Sequence, residues 1–154
     1  MSKKVLPDLY EKYIKNTGPQ AIVINKTVFL CHLTNAVSKG IGIFPTNKIY
    51  TTSRVIKHMY DKKPAEEFDF LINCVHRIVK FPDKVYQNQD AKRGDFCFVK
   101  NLNGRSYFCS IQIVRNDGGD TEDLYLATAF RIRKINYLDN YKLLWSWKDG
   151  APSS

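Results

Sequence analysis

Carboxylates are scarce in this chain: 15 Asp and Glu stand against 24 Lys and Arg in 154 residues, a formal charge of +9 at neutral pH. That imbalance favours polyanionic partners such as RNA, DNA or an anionic surface, and leaves histidines flanked by cations as the best chemical lead. Cysteine is equally uninformative as a scaffold. Cys31, Cys74, Cys97 and Cys109 sit in apolar runs without CxxC spacing, which points to reduced core thiols and away from a disulfide framework or a zinc site. The opening MSKKVLPDLY has no apolar core of a signal peptide, and no run approaches the roughly 20 apolar residues of a membrane span. The expectation is a cytoplasmic chain with no membrane association. No HExxH or comparable ligand spacing exists, so neither metal nor cofactor is expected. Internal repeats and low-complexity tracts are also lacking.

What is present is enough apolar material, 44% of the residues, for one compact domain. Leu6, Leu9, Tyr10, Tyr13 and Ile14 fall at helical spacing before a break at Asn16 to Pro19. Gln20 to Thr34 reads as a hairpin about Asn25 and Lys26, although the turn lacks the favoured glycine. Ser38 to Asn47, punctuated by two glycines and a proline, reads as a loop or short edge strand. Thr51, Thr52 and Ser53 offer caps for a helix with Val55, Ile56, Met59 and Tyr60 on its apolar side, and Pro64 separates it from the next. Ala65 to Phe81 carries the strongest periodicity in the chain: Phe68, Leu71, Ile72, Val75, Ile78 and Val79 recur at steps of three and four.

Past Pro82 the composition turns to β. Asp95 to Lys100, Arg105 to Arg115 and Leu124 to Ile132 read as strands, the first two joined by the specific hairpin signal Asn103-Gly104. Asp117 to Asp123 reads as a longer solvated turn, Tyr137 to Trp147 as a segment closing the sheet or packing over it, and Lys148 to Ser154 as a tail. The expected fold is therefore α+β: an N-terminal helix and short β elements over 1–46, then two central helices and an antiparallel sheet of about four strands over 47–147, with 148–154 as the tail.

Three histidines are available for chemistry. His32 in FLCHLT reads as a half-buried structural residue, and His76 as an exposed residue beside the apolar stripe of the long helix. His58 follows Lys57 and lies one turn after Arg54. It reads either as an ordinary solvent-facing residue or as a proton-transfer group among cations. RNA cleavage requires a base for the 2′-hydroxyl, an acid for the leaving oxygen and cations for the phosphorane, all of which His, Lys and Arg can supply without a metal. Lys100, Arg115, Thr128 and Arg131 project from the expected strands or their ends. Alternation puts Lys100 on the side of Phe96 and Phe98, and Thr128 on the side of Leu126 and Phe130.

The order IYTTSRVIKHMYDKKP, IVKFPDKVYQN, DFCFVK, YFCSIQIV and LYLATAFRIRKINYL resembles the phage-associated branch of the barnase, EndoU, colicin and RelE-like nuclease superfamily, over roughly residues 47 to 140. The resemblance implies that His58 in the KH element transfers protons, that Thr128 in TAF orients the scissile phosphate, and that Lys100 is the basic strand position. Arg54, Lys57, Arg115 and Arg131 would contact nucleic acid. The chain departs from the family in having no second histidine in the sheet and no acidic base of the barnase type. The implied function is a metal-independent endoribonuclease that acts by 2′-hydroxyl attack, as a toxin or mobile-element effector held by an acidic immunity protein or antitoxin. Two other classes stay open: a non-catalytic nucleic-acid-binding module, and a viral or mobile-element protein that binds an acidic host protein.

Overall fold

The computed structural model describes residues 4–89, 94–115 and 122–147. Its elements, in order, are α1 (Val5–Tyr13), β1 (Thr27–His32), α2 (Asn35–Gly40), β2 (Lys48–Thr52), α3 (Ser53–Lys62), α4 (Ala65–Lys80), β3 (Lys84–Gln87), β4 (Phe96–Leu102), β5 (Arg105–Arg115), β6 (Glu122–Arg131) and β7 (Leu143–Ser146). The class is α+β. The sheet, however, has seven strands in the order β1-β2-β6-β5-β4-β3-β7 and is mixed, because β2 runs parallel to β6.

The main core lies between one face of this sheet and the helices. α4 turns Phe68, Leu71, Ile72, Val75, Ile78 and Val79 onto Ile49, Phe98, Cys109, Ile111, Leu124 and Leu126. Each such side chain removed from water contributes about 1.5–3 kcal/mol. Glu66 and Glu67 in its first turn and Arg77 and Lys80 in its last complement the helix dipole. Tyr10, Tyr60 and Phe68 meet ring to ring and join α1, α3 and α4. The opposite face of the sheet holds a smaller cluster of Cys97, Val99 and Phe108, covered by Leu138 and Tyr141. The segment from Tyr137 onward therefore does both things its composition offered: it packs over the sheet, then adds β7 to β3. Gly40 is required for that closure, since a Cβ there would collide with the Trp145 ring.

Several expectations change. The hairpin about Asn25 and Lys26 does not form. Only β1 is a strand, and its partner is β2, from Thr27↔Thr52 to His32↔Lys48. The preceding residues are instead a strap along α3, because Lys26 N–H donates to Ser53 Oγ, which itself donates to Ile24 O. The first three residues of the expected loop or edge strand from Ser38 to Asn47 are instead the end of the helix Asn35–Gly40, with Thr34 Oγ1 accepting from Val37 N–H as its cap. β3 adds a strand that composition did not reveal. Asn103 and Gly104 have φ values of 54° and 80°, the left-handed geometry that a two-residue hairpin needs and that this pair tolerates. The turn expected over Asp117 to Asp123 falls mostly on 116–121, outside the described residues, as does the tail 148–154; Glu122 and Asp123 belong to β6.

A bulge in β6 corrects a further expectation. Ser110 pairs with Thr128 but Ile111 pairs with Leu126, leaving Ala127 as the extra residue. The alternation flips there, so Leu126 joins the main core while Thr128 shares the opposite face with Phe130.

All four cysteines are free and buried. Burial pushes the Cys31 thiol up to about 11 and that of Cys97 up to about 12, which keeps them as unreactive packing groups. No described helix is long and apolar enough to cross a membrane.

Candidate nucleic-acid interface

β2 feeds directly into α3, and Thr52 Oγ1 caps the helix by accepting from Val55 N–H. On α3, Ile56 and Met59 point into the core. Arg54, His58 and Lys62 recur at steps of four and form one exposed stripe. That stripe is one wall of a cleft of about 610 Å³ whose other wall is the strap, including Gln20 and Ile22. Ile22 is 93% exposed, so the cleft pairs a cationic helix face with an apolar rim.

The strap is held by an ion pair. Lys57 is only 5% exposed, and its ammonium donates to Gly18 O and to Asp61 Oδ1, both at 2.7 Å. The other carboxylate oxygen, Asp61 Oδ2, accepts from Gln20 N–H at 3.1 Å. The Lys57 hydrogen bond holds the Asp61 carboxyl below its usual range against the opposing effect of burial, with Gln20 N–H and the charges of Lys57 and His58 adding to the lowering. Lys57 thus builds the cleft and does not project from it as a phosphate contact.

The remaining expected site residues are dispersed. Lys100 is on the core-facing side of β4, where its ammonium donates to Phe81 O at 2.7 Å and approaches Asp83 at 3.4 Å. It secures the end of α4 beside Trp145 and Trp147. Thr128 lies on the Phe130 face and does not line the α3 cleft. Arg115 is exposed at the end of β5 and pairs with Glu122. Arg131 lines a separate cavity at the other end of the β4–β5 hairpin. His32 is exposed, not half-buried, and meets Phe29 edge-on; His76 is partly buried.

The structure therefore brings Arg54 and His58 together, adds Lys62 and Asp61, and leaves Lys100, Thr128, Arg115 and Arg131 elsewhere. Lys62 was legible as the next member of the 54, 58 series. The four-residue spacing of Asp61 from Lys57 was a signal for their pairing, but its bond to Gln20 N–H depends on a distant loop and left none. Compared with protein-family models, with curated proteins and with solved structures, the chain has no match in any of the three. The nuclease resemblance rests on the quoted residues alone.

Proposed function

We propose that this protein binds RNA through the α3 cleft, with Arg54 and Lys62 contacting phosphates and His58 between them. One observation carries the reading: three cationic or protonatable side chains share an exposed stripe facing a cleft, in a chain of charge +9. Guanidinium and ammonium groups neutralise phosphates and release counterions, so affinity should fall steeply with salt. A flat salt profile would remove phosphate contact as the source of binding.

A second reading, the metal-independent endoribonuclease, is favoured by the place of His58, an exposed imidazole one turn from Arg54 and lining the same cleft. In that reading His58 gives or takes the proton at the ribose or leaving oxygen, and Arg54 offsets charge on the phosphorane. Lys100 and Thr128 have no part in it. An acidic protein that seats on the α3 stripe would then serve as inhibitor.

Incubating purified protein with total tRNA and a mixed single-stranded RNA in EDTA decides between the two. The binding reading expects retained, intact RNA. Fragments ending in cyclic phosphate, absent with His58→Ala, would replace it with the nuclease.

A further inference from the structure

A second basic site lies away from α3. The first turn of α4, the β4–β5 hairpin and the end of β6 enclose a cavity of about 440 Å³ lined by Glu67, Phe70, Asn103, Arg105, Arg131 and Arg133. Its back wall is apolar, since Phe70 and Tyr107 stack at 4.9 Å. Glu67, 9% exposed, organises the cations: its carboxylate accepts from Arg131 N–H at 3.2 Å and pairs with the Arg133 guanidinium. A further N–H of Arg133 reaches Arg131 O at 3.4 Å. Two of the three guanidinium groups, those of Arg105 and Arg131, have no carboxylate partner among the described residues. Most telling, Arg131 Nε is buried and has no hydrogen-bond partner among the described residues. Buried donors are almost always satisfied, and leaving one unmade costs about 1–3 kcal/mol. Arg131 lines the cavity, so an acceptor there that its guanidinium turned to meet would remove that cost.

The acceptor's chemistry follows from its hosts. Guanidinium forks match the oxygens of phosphate and carboxylate in bidentate fashion. Glu67 already occupies Arg133, and the exposed Glu66 adds a further negative charge at the rim. Lys63 lies within electrostatic range of Glu67, and an adjoining cavity of about 330 Å³ shares the three arginines and adds Lys134. The net field remains positive. A phosphate monoester offers the three arginines about two negative charges and three terminal oxygens, more than a carboxylate or a backbone diester offers, so the end of a strand suits them best. The adjoining cavity also contains Tyr137, whose ring is already engaged with Tyr141, Phe108 and Phe130, so the site is read for the phosphate and not for a base.

We infer that the Arg105–Arg131–Arg133 cavity is a binding site for a phosphate monoester, the terminal phosphate of an RNA strand. The inference rests on the RNA-binding reading only for what carries the phosphate.

The test compares short single-stranded RNAs of one sequence with a 5′-phosphate, a 3′-phosphate or two hydroxyl ends, each labelled away from the varied end, by fluorescence anisotropy. Alongside, inorganic phosphate and pyrophosphate are titrated while the arginine Nε–H resonances are followed by NMR. One phosphorylated end should bind about tenfold more tightly than the hydroxyl-ended RNA. Arg131→Gln and Arg105→Gln should each abolish that preference, whereas Lys84→Gln, an equal loss of charge at an exposed position of β3, should preserve it. Arg105 is exposed at a strand start, so its replacement leaves folding intact even if Arg131→Gln does not. Equal affinity for all ends, or a preference that survives Arg105→Gln, overturns the phosphate site while RNA binding stands. A shift of Arg131 Nε–H with pyrophosphate, without binding of any RNA, keeps the site and overturns RNA as its source.

Discussion

The α3 cleft and the arginine cavity are built from the same parts and end in opposite states. Each has one largely buried carboxylate holding one cation: Asp61 holds Lys57, and Glu67 holds Arg133. In the cleft both partners are consumed in architecture, since Lys57 and Asp61 also fasten Gly18 and Gln20. The exposed cations beside them, Arg54 and Lys62, are surface groups. In the cavity the carboxylate fastens the Arg131 backbone, and the guanidinium of the same residue is left with an unmet buried donor. An ion pair can therefore close a structure or hold it ready for an anion. What decides is whether every donor around it already has an acceptor.

That contrast can be broken most severely at the strap. Lys57→Met keeps the aliphatic stem but removes the donor to Gly18 and Asp61, and should lower stability by about 1.5–3 kcal/mol, read as a lower urea midpoint. RNA binding at the cleft should fall with it, because the second wall loses its tether. Unchanged stability would mean that the strap is held by its apolar contacts alone.

Glu67→Gln should cost about 1–2 kcal/mol, because an amide oxygen still accepts one hydrogen bond. Its pH signature follows from the carboxyl's environment. Burial raises the Glu67 pKa, but the hydrogen bonds from Arg133 and Arg131, with the charges of Arg133 and Lys63, outweigh it and leave it below the ordinary value. The folded-state pKa is then below the unfolded one. The stabilisation is complete above the ordinary glutamate range and is lost as pH falls through the lowered folded-state value. Acid unfolding should accordingly be shallower in Glu67→Gln than in the parent, and parallel curves would refute the assignment.

At the cleft, Arg54→Ala and Lys62→Ala should each weaken RNA binding several-fold and reduce the slope of log affinity against log salt by about 0.7 for a single strand. A smaller effect is expected at Lys100. Lys100→Met should leave RNA affinity and its salt slope unchanged, with a stability loss of about 0.5–1.5 kcal/mol from the bond to Phe81 O. Smallest of all, Arg115→Ala should alter stability by less than about 1 kcal/mol, since its pair with Glu122 is solvated.

The sequence was most legible where the pattern is local. The three-and-four spacing from Phe68 to Val79 specified α4, and the Asn103-Gly104 pair specified the β4–β5 turn together with its register. It was least legible where two structures share one pattern. The run AIVINKTVF carries β-branched and apolar residues on both sides of Asn25 and Lys26 as a hairpin would, yet its first half is part of a strap, fastened where Ser53 Oγ donates to Ile24 O and accepts from Lys26 N–H. No periodicity distinguishes an extended strap from a strand, because both place successive side chains on opposite sides. The bulge at Ala127 likewise reversed the face of Thr128 without any glycine or proline to mark it. Of the candidate residues, Arg54 and His58 were correctly placed together because four residues make one helical turn. Lys100, Thr128, Arg115 and Arg131 share no local relation to that turn.

Composition and local order determined the charge, the four core thiols, the α+β class and the helical stripe carrying His58, because each depends on residues near one another or on their numbers. Tertiary structure decided the parallel pairing of β2 with β6, the burial of Lys57 and the convergence of Arg105, Arg131 and Arg133. Each of those joins groups far apart in the chain, and which distant donor meets which acceptor is settled only when the core forms and excludes water from both.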